Sequence, residues 1–286
     1  MKFVKTGKYR QDTMERLVEI NSLEQLQNRF KRMDYFLGFV QERIPKIFPQ
    51  YIHNLTARYE DLLEDERKAA NPPDLDDIIS ENPYMKENLE LARLVLNYIV
   101  QVLQLPAEDS LGKTEVVNRA YYRSWSHQNY ANLVVLTETI GREEAITLFK
   151  RFVTHYSKDN RNPDRDTVDN LESLYYKRIE PKETPSDWEI VHAMIGDGKY
   201  AFRNDNCVFL TAIGDDLPDT ELKYYCCCYG DYENFKVYHD SVILTMEHTI
   251  AQGDPYCSRV LHDTRVDWDL RHPPKSFWDD MKPENE

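Results

Sequence analysis

Glycine is scarce in this sequence, with nine residues among 286. Neither G-x-G-x-x-G nor G-x-x-x-x-G-K-[ST] occurs, which argues against the common glycine-rich phosphate cradles of dinucleotide and P-loop enzymes. H-E-x-x-H, G-x-S-x-G and paired C-x-x-C motifs are also absent, so zinc peptidases, the commoner serine hydrolases and zinc ribbons are disfavoured. No uninterrupted apolar run approaches the roughly 20 residues that cross a bilayer.

Cysteine is also rare, and three of the five cysteines are consecutive at positions 226–228. An odd number with such clustering does not suit a disulfide framework. The first residues, "MKFVKTGKYRQDTMERL", lack the apolar core of a secretory signal. A reduced, cytoplasmic protein is therefore predicted.

Positive charge is in deficit, since 36 Lys and Arg stand against 50 Asp and Glu, a net charge of −14. Such a chain repels phosphate backbones and anionic lipid, so no nucleic-acid or membrane partner is predicted. A small-molecule substrate is expected instead.

The first 180 residues show apolar side chains at helical spacing, interrupted by prolines. Helices are predicted over residues 13–44, 51–70, 83–105, about 114–139, 142–158 and 167–179. Gly141 is predicted to end the fourth of these helices. This helical half could cover a pocket, form a homodimer interface, or both.

After Pro185 the pattern changes to β-branched and aromatic segments separated by turn signals. One hairpin is predicted over residues 188–213 and another over 241–263, with a helix from Asp216 to about Gly230 between them. The fold class is therefore α+β: a helical N-terminal portion followed by a mostly antiparallel sheet with an inserted helix. We expect regions 1–185 and 186–286 to pack together as one domain.

Three stretches in the C-terminal region contain the candidate site residues. They are Cys207, then Cys228 with Asp231, then "TIAQGDPYC" at 249–257. In this order they resemble the L-2-amino-thiazoline-4-carboxylic acid hydrolase family. The resemblance implies a hydrolase acting on a non-peptide C–N bond of a small cyclic amidine-like or amino-acid-derived substrate. No cofactor is expected, with zinc as the alternative considered below.

Hydrolysis of an amidine carbon needs a nucleophile and a group that protonates the leaving nitrogen. We assign Cys228 as nucleophile or substrate contact, and Asp231 and His248 as acid–base groups. A thiolate is disfavoured at a helix C-terminus, so Cys228 would need a histidine or a cation beside it. His248 and His262, predicted on facing strands, are the candidates. The residues predicted to bind substrate are Cys207, Cys257, Arg203, Thr249 and Asp254, with Arg265 as an alternative carboxylate ligand.

Other interpretations stay open at this point. Cys226 and Cys227 are predicted to be packing residues, because buried cysteine behaves as a small apolar group. A zinc-containing, non-catalytic binding module would use Cys207, Cys228 and Cys257 with Glu247 or His248. A third alternative is a biosynthetic enzyme that closes a ring with the same acid–base groups.

Overall fold

The computed structural model describes residues 1–63, 74–105, 112–161, 168–196, 198–215, 217–236 and 239–283. The helices in these residues are α1 (Ser22–Arg43), α2 (Phe48–Leu62), α3 (Leu75–Ile79), α4 (Pro83–Glu87), α5 (Leu89–Leu103), α6 (Asn118–Ile140), α7 (Arg142–Asp159), α8 (Leu171–Ile179), α9 (Val208–Ile213), α10 (Thr220–Cys227), α11 (Asp231–Asn234) and α12 (Lys275–Asp279). The strands are β1 (Val4–Thr6), β2 (Leu17–Asn21), β3 (Lys113–Val117), β4 (Ile190–Gly196), β5 (Lys199–Asn204), β6 (Val242–Thr245) and β7 (Cys257–Asp263). The predicted α+β class is confirmed.

The chain divides into two compact units, each built from separate stretches of sequence. The sheet unit comprises Met1–Thr13, Val153–Leu210 and Asp219–Glu286. The helical unit comprises Met14–Phe152 and Thr211–Pro218. The packing of regions 1–185 and 186–286 as one domain stays a prediction.

The sheet unit is organised around a five-stranded antiparallel sheet in the order β1-β4-β5-β7-β6. One face packs Tyr200, Phe202 and Leu261 against α8 through Leu171 and Leu174. The opposite face carries a second apolar cluster, made of Val191, Ala193, Ala201, Tyr256, Val260, Trp278 and Met281. Because both faces are covered, every residue of β7 is buried, and polar side chains on that strand must find partners inside the protein.

The helical unit combines α1, α2, α5 and α6 with a two-stranded antiparallel ribbon of β2 and β3. Its aromatic core includes Phe36, Phe149 and Phe152, whose rings pack at centroid distances of 4.7–5.9 Å. The buried Arg29 lies over the Trp125 ring at 4.2 Å and donates to Ser124 Oγ. Among the described residues, no helix is long and apolar enough to cross a membrane.

Several predicted helix boundaries in the first half of the chain are wrong. The helix predicted over 13–44 begins at Ser22, and the one predicted from about residue 114 begins at Asn118. In both cases the preceding residues form β2 and β3, which pair with each other across about 95 residues of sequence. Helical periodicity is a local pattern and cannot predict a pairing between segments so far apart in sequence. Gly141, with φ +89°, does end α6 as predicted.

The predicted second helix begins earlier than expected, at Phe48, because Pro49 is tolerated in the first turn. Its predicted end near residue 70 and the stop at Pro106 lie outside the described residues. The helix predicted from Pro83 is interrupted at Asn88 and continues as α5.

In the second half, the helix predicted from Asp216 begins at Thr220, where the Asp219 side chain accepts the Leu222 N–H. Cys207 is not on a strand, because β5 ends at Asn204 and α9 begins at Val208. The last hairpin is confirmed as β6 and β7, but its connection is longer than predicted. His248 lies in that connection and not on a strand facing His262, because β6 ends at Thr245.

Candidate active site

Three of the five cysteines meet in the sheet unit. Cys207 precedes α9, Cys228 follows the last residue of α10, and Cys257 begins β7. All three are buried, and Cys228 interacts electrostatically with both other thiols and with Asp231. We call Cys207, Cys228, Cys257, Asp231 and Arg259 the cysteine cluster. The sequence prediction brought the first four together; the fifth was missed.

Arg259 supplies the positive charge of this cluster. Its Nε and Nη2 donate to Asp231 Oδ2 at 3.1 and 2.8 Å, and its Nη1 donates to Asn204 Oδ1 at 2.8 Å. Burial alone would lower the pKa of Arg259, but the charge of the Asp231 carboxylate raises it above the ordinary value. Alternation along a strand puts residues i and i+2 on one face, so Cys257 was the signal that could have pointed to Arg259.

The thiols of the cluster are held in the protonated form. Burial is the main cause that raises the pKa of Cys228 well above its ordinary value, and neighbouring thiols and Asp231 add to it. Burial likewise raises the pKa of Cys207 and Cys257, although Arg259 opposes the shift at both. At neutral pH Cys228 is therefore a thiol and not a thiolate.

Asp231 is more accessible than its partner Arg259. Its side chain is 23% exposed, against 8% for Arg259. Both bonds from Arg259 go to Oδ2, and among the described residues Oδ1 has no hydrogen-bond donor. One carboxylate oxygen is thus anchored, while the other can accept a proton or bind a cationic N–H group.

The short turn before Asp231 sets the spacing of the site. The Cys228 N–H donates to Tyr224 O at 2.8 Å and ends α10, and the Asp231 N–H donates to Cys228 O at 3.0 Å. Cys226 and Cys227, predicted as packing residues, are half-buried, and Cys228 at 3% exposure is the most enclosed of the three. Cys227 also interacts electrostatically with Cys207 and Cys228, so the turn brings two of the three consecutive thiols to the cluster and buries Cys228 most deeply.

The remaining motif residues form a second group in the connection between β6 and β7. His248 Nδ1 lies 3.3 Å from Asp254 Oδ1, and the Thr249 N–H donates to Asp254 Oδ2 at 3.0 Å. The Ile250 N–H donates to Cys257 Sγ at 3.3 Å, which joins this loop to the cysteine cluster. Among the described residues, His248 Nε2 has no hydrogen-bond partner.

The other predicted residues lie elsewhere. His262 is fully buried and pairs with Thr245 Oγ1 at 2.9 Å. Arg203, predicted to bind substrate, already donates to both oxygens of Asp205 at 2.6 and 3.2 Å and to the Trp278 carbonyl. Arg265 is engaged in the same way by Asp263 two residues away. Neither guanidinium is therefore open to a substrate carboxylate in this arrangement.

Metal binding was the main alternative for these side chains. Within the described residues, no group of three or more His, Cys, Asp or Glu side chains is arranged to hold a metal ion. The guanidinium of Arg259 adds a fixed positive charge beside the thiols, which disfavours a further cation there.

The fold and the site define an α+β protein with an enclosed cysteine–aspartate–arginine cluster. Residues 122–260 match the model of the family described as L-2-amino-thiazoline-4-carboxylic acid hydrolase. The matched segment includes the whole cysteine cluster, and the resemblance predicted from the sequence is confirmed. No curated protein and no solved structure matches the chain.

Proposed function

We propose that this protein hydrolyses a non-peptide C–N bond in a small cyclic amidine-like or amino-acid-derived molecule, and that the reaction occurs at the cysteine cluster. The family match makes hydrolase chemistry the first choice. The observation that carries the proposal is the geometry of Asp231, whose Oδ2 is anchored by Arg259 while Oδ1 is left without a donor among the described residues. A fixed carboxylate with one open oxygen suits a general base.

In this proposal water is the nucleophile. Asp231 Oδ1 takes a proton from water as the water oxygen attacks the amidine carbon. A protonated amidine also offers N–H groups that a carboxylate binds, so Asp231 would attract and orient the substrate before the attack. Arg259 holds the carboxylate in place throughout.

Cys228 acts in the second half of the reaction. As the C–N bond breaks, the leaving nitrogen takes the thiol proton, and the thiolate formed is stabilised by the charge of Arg259. Asp231 then returns the proton it took from water to Cys228, so the net reaction consumes one water and both groups are restored. From the sequence we expected Cys228 to be the nucleophile. We now propose that it donates a proton instead, because its raised pKa keeps the thiol protonated.

His248 is the third acid–base group of the proposed pocket. Asp254 Oδ1 bonds Nδ1 of His248 and fixes the orientation of the imidazole ring. Nε2 of the same ring is then left to exchange a proton with the substrate. Thr249, Asp254, Cys207 and Cys257 form the surrounding wall and hold the loop in place. We further propose that the site works without a metal, since Arg259 already supplies positive charge, and that the five free thiols reflect a reducing, cytoplasmic location.

The proposal is tested by measuring turnover of L-2-amino-thiazoline-4-carboxylic acid and of a panel of cyclic amidines. Asp231→Asn keeps the shape of the side chain but removes the base, and we expect a loss of roughly 100-fold or more in kcat. Cys228→Ala should lose a comparable factor. Cys226→Ala, two residues away and outside the cluster, is the matched control and should keep full turnover.

Two results would contradict the proposal. Full turnover in both Asp231→Asn and Cys228→Ala would remove the cluster from the chemistry. A stoichiometric zinc in the purified protein, with turnover abolished by a chelator, would favour the metal-containing alternative instead.

A further inference from the structure

The helical unit contains a cavity of about 380 Å³ that the proposed reaction does not use. α2, α5 and α6 provide most of its wall, and Leu217 and Pro218 complete it. This volume lies within the range of small-molecule sites. The family motifs used above all lie in the sheet unit, so the cavity requires an explanation of its own.

The polar groups of the cavity are strongly biased toward positive charge. Arg58 on α2 and Arg123 on α6 both line it, and among the described residues that line the cavity there is no Asp or Glu. A protein with a net charge of −14 has carboxylates in excess, so a wall with two guanidinium groups and no acid is unexpected by chance. Guanidinium groups bind planar carboxylates with two parallel hydrogen bonds.

Two buried polar atoms of the lining residues lack partners. Among the described residues, Arg58 Nε and Gln101 Oε1 are buried and have no hydrogen-bond partner. Buried polar atoms are nearly always paired, because an unpaired one loses its water without compensation. The Arg58 Nε–H needs a hydrogen-bond acceptor, and Gln101 Oε1 needs a hydrogen-bond donor. A ligand that satisfies both atoms therefore carries one acceptor and one donor.

Arg123 is oriented by a short hydrogen-bonded chain. Its Nε donates to His127 Nε2 at 3.4 Å, and His127 Nδ1 lies 3.0 Å from Tyr98 Oη. Since arginine can only donate, Nε2 of His127 accepts, and Nδ1 carries the hydrogen that it shares with Tyr98. These two hydrogen bonds hold the Nε side of the Arg123 guanidinium against α6.

Tyr130 also lines the cavity, and the rest of the described wall is apolar: Leu62, Val102, Ala131, Val134, Leu217 and Pro218. A strongly hydrated ion such as inorganic phosphate would gain nothing from these side chains. An organic body would bury apolar surface against them.

We propose that this cavity binds a small organic carboxylate with an apolar body and one N–H or O–H donor. Its carboxylate lies between Arg58 and Arg123, its donor meets Gln101 Oε1, and its body rests on the apolar wall. The cavity is thus a ligand site distinct from the residues proposed for hydrolysis.

Binding to the full chain is measured by titration calorimetry with indole-3-acetate, N-acetyl-leucine and 3-(4-hydroxyphenyl)propanoate. We expect at least one to bind with a Kd below roughly 1 mM, and its primary amide to bind about tenfold or more weakly. Arg58→Gln and Arg123→Gln should each weaken carboxylate binding by about tenfold or more. Arg93→Gln, an exposed arginine of α5 outside the cavity, should leave it unchanged.

A further variant covers the case in which loss of an arginine disturbs the fold. Val134→Phe fills the cavity without removing charge, and we expect it to abolish binding while the circular dichroism spectrum and Tm stay close to wild type. The inference is overturned if no carboxylate of the panel binds, if acid and amide bind equally, or if inorganic phosphate binds more tightly than every carboxylate. Undiminished binding in Val134→Phe and both arginine variants would overturn it as well.

Discussion

The cysteine cluster and the arginine-lined cavity place the buried Arg259 and the half-buried Arg58 in opposite situations. Arg259 finds Asp231 and Asn204 within 3.1 Å, and the charges around it raise its pKa. Arg58 lines a cavity whose described lining residues include no carboxylate, and its Nε has no partner among the described residues. Arg259 has its partners within the chain, whereas among the described residues none complements Arg58 Nε, and we propose that a ligand does so.

The difference separates two kinds of functional residue. Groups that perform chemistry must be held in place before substrate arrives, so they show partners, fixed turns and shifted pKa values. Groups that recognise a ligand keep their hydrogen-bonding capacity for it and look incomplete without it. The four predictions below test this contrast, beginning with the largest effect.

Replacing Arg259 should cause the largest loss. Arg259→Met keeps an unbranched apolar stem but removes the guanidinium and leaves Asp231 without its counter-ion, and breaking a buried pair from one side costs about 3–5 kcal/mol. We expect the free energy of unfolding in urea to fall by that amount, with loss of turnover. Arg271→Met is the control, since its side chain is 88% exposed and pairs with Asp269 at the surface. Equal effects of the two variants would show that Arg259 is not structurally special.

Alkylation should distinguish the consecutive cysteines. Cys226 and Cys227 are half-buried, whereas Cys228 is buried and its pKa is raised well above the ordinary value by burial. At neutral pH iodoacetamide should label Cys226 and Cys227 roughly 100-fold faster than Cys228, because only thiolate reacts. Raising the pH increases labelling of Cys228 in the native protein only at strongly alkaline values. Fast labelling of Cys228 at pH 7, read by peptide mass spectrometry, would restore it as a resting nucleophile.

The sequence predicted the cysteine cluster better than the cavity, for physical reasons. Cys228 and Asp231 are three residues apart, and Cys257 belongs to a compact turn motif. These residues can therefore be recognised from short sequence patterns. Arg259 was missed although strand alternation places it on the same face as Cys257. Arg58 and Arg123 lie on different helices, 65 positions apart, and no local pattern connects them. The pairing of β2 with β3 was missed for the same reason.

The pH dependence of stability should be concentrated in the sheet unit. Burial, followed by the charge of Arg178, lowers the pKa of His192 to about 3, while its ring bonds Thr6 Oγ1 at 2.6 Å and the Tyr200 hydroxyl. The unfolded chain then takes up a proton first, near the ordinary value of 6.5. The stabilisation is complete above that pH and is lost as the pH falls from 6.5 toward 3, by at most about 1.4 kcal/mol per pH unit.

His192→Gln should reduce the slope of the unfolding free energy against pH, because the unfolded variant no longer takes up a proton at this position. Urea unfolding between about pH 7 and pH 4 measures it, and hydrogen exchange in the same series reports each unit separately. His53→Gln changes an exposed histidine of the helical unit and should leave the slope unaltered. An identical slope in wild type and His192→Gln would show that His192 does not stay neutral in the folded protein.

The smallest expected effect is also the most diagnostic, because its sign is opposite to that of Arg259→Met. Arg58→Met removes a buried Nε that has no partner among the described residues, so without ligand the unfolding free energy should stay the same or rise by up to about 1 kcal/mol. When a carboxylate that binds the cavity is added, wild type should gain stability through binding and the variant should gain much less. Urea unfolding with and without that carboxylate measures both effects. A loss in Arg58→Met as large as in Arg259→Met would mean that Arg58 has a partner within the chain, and the contrast between the two arginines would then disappear.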